Sequence, residues 1–169
     1  VHNGVCDGWM VSTNDIYHKG GWIWLIWDHK VVSLNIVEVT AQCIHVMIND
    51  KGRKSDCWLT MVYGFNNSND RIELWNCLRN VFGNINEPWV VCGDFNVISG
   101  NDERIGGARV SSNETKALSY CKQDCALHEI KTIGSYFTWN NKQDKESRIC
   151  SRIDRVLCND DWVIKFPSS

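Results

Sequence analysis

The stretch Val90-Val-Cys-Gly-Asp-Phe-Asn-Val97 decides how this chain is read. With Trp89 ahead of it, its first residues form a short apolar run of buried-strand length. Gly93 ends the run and permits a sharp turn. Asp94 and Asn96 follow, one residue apart. In an extended chain, residues i and i+2 share a face. A carboxylate and an amide then stand together at the end of a buried strand. These residues alone leave two readings open: a functional site, or a Gly-Asp turn that Asn96 closes with a local hydrogen bond.

Working outward, the flanking chain supplies enough apolar pattern for one domain over residues 1–169. The composition is 43% hydrophobic and 22% charged, which is ordinary for a globular protein. A net charge of −2 announces no polyanion partner, so any such contact must come from a local patch. Most of the nine tryptophans are expected to be core anchors. The nine cysteines include no Cys-x-x-Cys pair and no zinc-finger spacing. They read as reduced thiols of an intracellular protein, nuclear or cytoplasmic. No run is long enough to span a membrane and no signal peptide is visible. The chain opens on Val1 rather than Met, which suits a trimmed product or a fragment.

Upstream of the central stretch, strands are expected at 9–12, 22–27, 31–39, 42–48 and 57–63, in an antiparallel meander with a turn at Asp50–Arg53. His45 reads as a half-exposed structural residue within a strand. Capping residues Asn66 to Asn69 introduce a helix from about Asp70 to Phe82, ending near Gly83. Its apolar face comprises Ile72, Trp75, Leu78 and Phe82, widened by Leu74 and Val81. Downstream, Ser99–Val110 is a Gly-rich loop holding Glu103, Arg104 and Gly106-Gly107. Ser111-x-x-Glu114 is a capping box for a second helix, with Leu118, Cys121 and Cys125 on its inner face. Brief strands are expected around 127–130 and 134–139, then a polar hairpin loop and a long strand over 148–158. The order strands, helix, strand, helix, strands is an α+β pattern, satisfied by sheets packed face to face with helices outside.

Three polar features fall at strand ends: Tyr63-Gly-Phe-Asn66, Gly93-Asp-Phe-Asn96 and Ser151-Arg-Ile-Asp-Arg155. Cleaving a phosphodiester requires an aligned, activated water, stabilised charge on the phosphorus oxygens, and help for the leaving oxygen. Asp, Asn and Tyr can meet the first two needs, and carboxylates can hold a divalent ion.

These motifs, with Phe137-Thr-Trp139, Gly20-Gly-Trp-Ile-Trp24 and Glu103-x-x-Gly-Gly107, resemble the endonuclease/exonuclease/phosphatase superfamily. They look most like the endonuclease domain of plant LINE-type non-LTR retrotransposons. The resemblance covers nearly the whole chain. It implies a four-layer α/β/β/α sandwich of the DNase I-like kind, magnesium dependence and a DNA partner. It implies that Asp94 orients or deprotonates the attacking water and that Asn96 holds the water or the phosphate. Tyr63 and Asn66 would contact the phosphate, and Arg152 would bind phosphate or nucleic acid. Asp154 would orient a catalytic histidine.

The pattern departs from the family at two places. A strand with Asn followed by one ending in the metal-binding Glu is expected upstream of Val1. A Ser-Asp-His segment is expected beyond Ser169. None of the five histidines (His2, His18, His29, His45, His128) matches that segment. The expectation is therefore an incomplete domain, impaired in catalysis, with no metal ligand assigned and magnesium held weakly. Two alternatives stand beside it. One is a non-catalytic nucleic-acid-binding remnant using Lys131, Lys142, Lys145, Arg148, Arg152 and Arg155, a cluster whose plainer reading is a solvated hairpin. The other is a phosphatase acting on a small phosphorylated substrate.

Overall fold

The computed structural model describes residues 8–18, 21–52, 56–144 and 146–169. His2, Cys6, Gly20, Arg53 and Lys145, which figure in the sequence reading, lie outside the described residues. In chain order the elements are β1 (Trp9–Thr13), β2 (Trp24–Asp28), β3 (Val32–Val39), β4 (Cys43–Asp50), β5 (Asp56–Tyr63), α1 (Ile72–Phe82) and β6 (Trp89–Asp94). They continue with β7 (Arg104–Ile105), α2 (Ser112–Asp124), β8 (His128–Glu129), β9 (Trp139–Asn140), β10 (Cys150–Ser151), β11 (Asp154–Cys158) and α3 (Asp160–Lys165).

A six-stranded sheet ordered β3-β4-β5-β6-β11-β8 forms the middle of the molecule. Its β5–β6 pair is parallel and bridged by α1, as a parallel connection requires. The Trp89-Val-Val-Cys run lies between β5 and β11, which explains its apolar content. Alternate residues feed two cores. Val62, Val91 and Leu157 pack with Leu74, Trp75 and Leu78 of α1 and Leu118 and Cys121 of α2. Leu59 and Met61 face the other way, packing with Ile44, Val46, Ile23 and Leu25. The result is an α+β sandwich, and the described residues form three of its expected layers: helices, the central sheet, and a partial second β layer. Helix α3 sits at the far end of the sheet, where Lys165 Nζ donates to the Asp56 carbonyl at 2.8 Å.

Several expected elements take other forms. The meander is limited to β3–β4–β5, and β1–β2 is a separate antiparallel pair. Ile23 and Leu25 pack onto the face of the central sheet, and a strand lying on that face cannot also extend its edge. The run 22–27 begins its strand only at Trp24, because the Trp22 and Ile23 amides donate to Asn14 Oδ1 at 2.9 and 3.1 Å. Helix α1 starts at Ile72 and no side chain caps it. Asn67 Oδ1 instead accepts from the Asn69 amide at 2.9 Å, a local turn. Ile72 is exposed, and its place on the inward face is taken by Arg71, one turn before Trp75. The capping box does form, with the Glu114 amide donating to Ser111 Oγ at 3.4 Å.

His45 is buried rather than half-exposed. It stacks on Trp58 at 4.8 Å, with Nδ1 2.8 Å from Thr60 Oγ1. Both faces of β4 are covered at this point, so strand alternation does not bring it to solvent. Of the expected 134–139 strand only Trp139 is in a ladder, at the start of the two-residue β9. The expected 148–158 strand breaks into β10 and β11, which belong to different sheets. The break has a physical cause: the Ile153 and Asp154 amides both donate to Thr138 Oγ1 at 3.1 Å, away from any ladder.

Candidate active site

Strands β5, β6 and β11 are neighbours, and their registers place Tyr63 beside Asp94 and Asp94 beside Asp154. The three side chains therefore form one row on one face, at the ends of three adjacent strands. Gly93 makes this possible. Its φ is +135°, and a Cβ there would lie 2.0 Å from the Val62 carbonyl oxygen. Any side chain at 93 would push β6 away from β5 and separate Asp94 from Tyr63.

Beyond the row the chain folds back on itself. The Gly64 amide donates to the Asp94 carbonyl at 2.7 Å, and Asn96 Nδ2 donates to the Gly64 carbonyl at 2.7 Å. Asp94 Oδ1 accepts from the Asn96 amide at 2.7 Å. Asn96 is left-handed, with φ +50°, a conformation that Asn tolerates better than most side chains. The Gly-Asp turn is thus present, but it is closed by the Asp94 carboxylate. The Asn96 side chain instead ties the β5 and β6 ends together. Phe95 is fully buried between them, parallel to Trp75 with centroids 6.3 Å apart.

This arrangement floors an open cleft of about 450 Å³. Tyr63, Asn66, Asp94 and Asn96 line one side of it; Arg104, Ser151 and Trp139 line the other. Asp154 is the exposed end of the row, and among the described residues no histidine pairs with it. His45 lies in the sheet, His128 Nε2 is 3.1 Å from Asp160, and His29 Nδ1 is 2.9 Å from the Gly8 carbonyl. His18 lies against Trp22 with ring centroids 4.2 Å apart and planes tilted by 45°, and Trp22 meets Tyr63 edge-on at 4.3 Å.

Burial pushes the Asp94 carboxyl up from the ordinary value, and the neighbouring Asp154 carboxylate adds to this; the Asn96 amide and Arg71 oppose it without cancelling it. Burial, then the Asp94 charge, also pushes the Tyr63 phenol up, so it remains a hydrogen-bond donor. Asp94 is thus a carboxylate with a raised proton affinity, beside a phenol that keeps its proton. That is the disposition of a general base next to an oxyanion donor.

Arg152 does not join them. Its Nη2 lies 2.6 Å from Glu129 Oε1 and its guanidinium covers the Tyr136 ring at 5.1 Å. Arg152, expected to bind phosphate or nucleic acid, is thus paired with Glu129 and does not line this cleft. The late basic cluster is dispersed as well. Arg155 is buried against Glu103 and Glu129, whereas Lys131, Lys142 and Arg148 are separate exposed side chains.

Two site residues had no assigned role in the sequence reading. Arg71 is buried beneath the cleft, with Nη1 donating to the Phe65 and Asn66 carbonyls at 2.6 and 2.9 Å, which holds the turn that presents Asn66. Its signal was an arginine placed in phase with Trp75 and Leu78. Arg104 lines the cleft from β7. Inside a Gly-rich loop it carried no periodic signal at all.

A magnesium site needs several oxygen ligands converging on one point. Among the described residues no group of three or more His, Cys, Asp or Glu side chains gathers that could hold a metal. Asp94 and Asp154 alone, with one Asp94 oxygen already bound to the Asn96 amide, do not make such a site.

The comparisons with known proteins agree with the fold. The model of the endonuclease/exonuclease/phosphatase family matches residues 55–169, more than half of the chain, and the chain belongs to that family. Among solved structures, the endonuclease domain of TRAS1, a telomere-specific non-LTR retrotransposon, superposes with a TM-score of 0.68 at 18% identity, covering 91% of this chain and 68% of that one. A Bacteroides thetaiotaomicron protein of the same family superposes at 0.57 with 14% identity, covering 91% of this chain and 62% of that one. The mannosyl-6-phosphatase of the same organism superposes at 0.54 with 14% identity, covering 90% and 63%. The chain thus spans under two thirds of the two bacterial proteins. No curated protein matches the sequence.

Proposed function

We propose that this chain is a phosphodiesterase domain that acts on DNA, of the retroelement endonuclease kind. The observation that carries the reading is the Tyr63–Asp94–Asp154 row, with Asn96 locked beside it. Asp94 takes the proton of the attacking water, a role suited to its raised proton affinity. The Tyr63 phenol donates to a non-bridging oxygen. One proton of the Asn96 amide is held by the Gly64 carbonyl; an amide has two, and the other lies against the Tyr63 oxygen and turns to the phosphate when one binds. Asn66 reaches the same oxygen from the exposed end of its turn. Asp154 supplies an orienting carboxylate.

Magnesium in the family's manner would need donors beyond Asp94 and Asp154. The Glu and Ser-Asp-His motifs that the resemblance calls for have no counterpart in these 169 residues. Turnover by these residues alone is accordingly expected to be slow, because catalytic units lose most of their rate when one member is absent.

The test is nicking of supercoiled plasmid by the chain with magnesium, beside its Asp94→Ala variant and a reaction in EDTA. Slow nicking that Asp94→Ala loses supports the reading. Equal nicking by both proteins overturns it. Phosphate release from a sugar phosphate, with no nicking, replaces it with the phosphatase alternative.

A further inference from the structure

Arg104 is the one cation lining the cleft among the described residues. It has no carboxylate partner there, and its Nε is buried without a hydrogen-bond partner. Arg152 and Arg155, by contrast, are both engaged by glutamates. A desolvated guanidinium nitrogen left unpaired is costly unless a ligand completes it.

The placement of Arg104 is built. In the three-stranded sheet β7-β10-β9, Arg104 pairs in register with Ser151, and Ser151 pairs with Trp139. All three line the cleft. Neighbouring strands are about 4.8 Å apart, so the row from Arg104 to Trp139 spans roughly 10 Å of backbone. One phosphate cannot occupy both ends of such a row; consecutive groups of a strand can. Trp139 is 44% exposed and offers a ring face to a base. Arg104 also borders a deeper recess of about 170 Å³, whose other cation is Arg71 and whose acid is Glu114, with Oε1 3.0 Å from the Ser111 hydroxyl.

We propose that Arg104 is the docking point for a second phosphate, next to the one that is cut, so that the site takes a nucleic-acid strand rather than a lone phosphomonoester. This rests on the phosphodiesterase reading above. Tyr63, Asn66 and Asn96 hold the phosphate under attack; Arg104 holds its neighbour across the cleft, and the intervening base lies over Trp139.

Binding in EDTA, where cutting is prevented, tests this without relying on turnover. Anisotropy of a fluorescein-labelled single-stranded DNA 12-mer is measured across a salt series with the full chain, Arg104→Gln and Arg104→Lys. Arg104→Gln is expected to bind about tenfold more weakly. Its salt slope should be shallower by about 0.7, the share of one phosphate on a single strand. Arg104→Lys keeps the slope, and both variants keep the wild-type melting temperature, since the guanidinium pairs with nothing in the protein. An unchanged slope and affinity in Arg104→Gln overturns the assignment of Arg104 and leaves the phosphodiesterase reading standing. A wild type that does not bind the 12-mer overturns both. Competition by thymidine monophosphate as strong as that by the dinucleotide pTpT overturns the second-phosphate assignment.

Discussion

Asp154 and Arg155 are consecutive, and they point into opposite environments. Asp154 stands exposed in a row with Asp94 and Tyr63. Arg155 turns through the sheet and is 2% exposed. There it meets Glu103 with both Nη atoms, Glu129 at 3.1 Å and the Val97 carbonyl at 3.4 Å. Arg152 closes the same group by binding Glu129. One side of the strand therefore carries a polar cluster whose charges are matched, and the other side carries one whose charges are not. The Arg155 contacts outweigh burial and hold the Glu103 carboxyl below its usual range, whereas burial prevails at Asp94 and raises it. A matched buried cluster serves as structure. It anchors the Ser99–Glu103 loop, whose Ser99 amide donates to Glu103 at 2.6 Å, to the strand behind the site. An unmatched cluster stores affinity for a ligand.

The comparison can be broken by removing single partners. Arg155→Met leaves Glu103 buried without its cation, and the expected loss is about 3–5 kcal/mol in urea unfolding. A loss below about 1 kcal/mol would mean that the cluster does not hold the loop. The core histidine gives the next effect. Burial lowers the pKa of His45 from 6.5 to about 4, so below pH 6.5 the unfolded chain takes up a proton that the folded chain refuses. Stability from this group is intact above pH 6.5 and falls as the pH drops toward about 4, by about 3 kcal/mol in total. The difference in urea midpoints between about pH 7 and about pH 4.5 should shrink in His45→Gln; an equal difference in both proteins would place the acid sensitivity elsewhere.

The smallest effect has the opposite sign. Because the folded state raises the proton affinity of Asp94, its ionised form opposes folding near neutral pH. The stability it contributes is present below the ordinary value of 3.8 and is lost as pH rises through the raised one. Asp94→Asn retains the side-chain oxygen that accepts the Asn96 amide. It is therefore expected to raise Tm by about 1–3 °C at neutral pH, with the gain vanishing at low pH, while nicking is lost. A drop in Tm would show that the carboxylate supports the fold and is not strained by it.

Local pattern was enough for the strand Trp89–Asp94, the two helices that flank it, the capping box at Ser111 and the placing of Tyr63 and Asp94 at strand ends. Those features depend on residue spacing within a few positions, where side-chain period and backbone preference act directly. Where the pattern misled, at the five-strand meander, the half-exposed His45 and the unbroken 148–158 strand, the deciding contacts came from distant chain: Ile44 and Val46 under β2, Trp58 over His45, Thr138 Oγ1 at the amides of 153 and 154. Charge partnering was equally invisible. Arg104, Arg152 and Arg155 are one residue type in one half of the chain, yet Glu103 and Glu129 claim two of them and leave the third facing the cleft. Which arginine keeps its charge for a ligand is set by where the folded chain puts the two glutamates, since pairing energy depends on distance in space and burial.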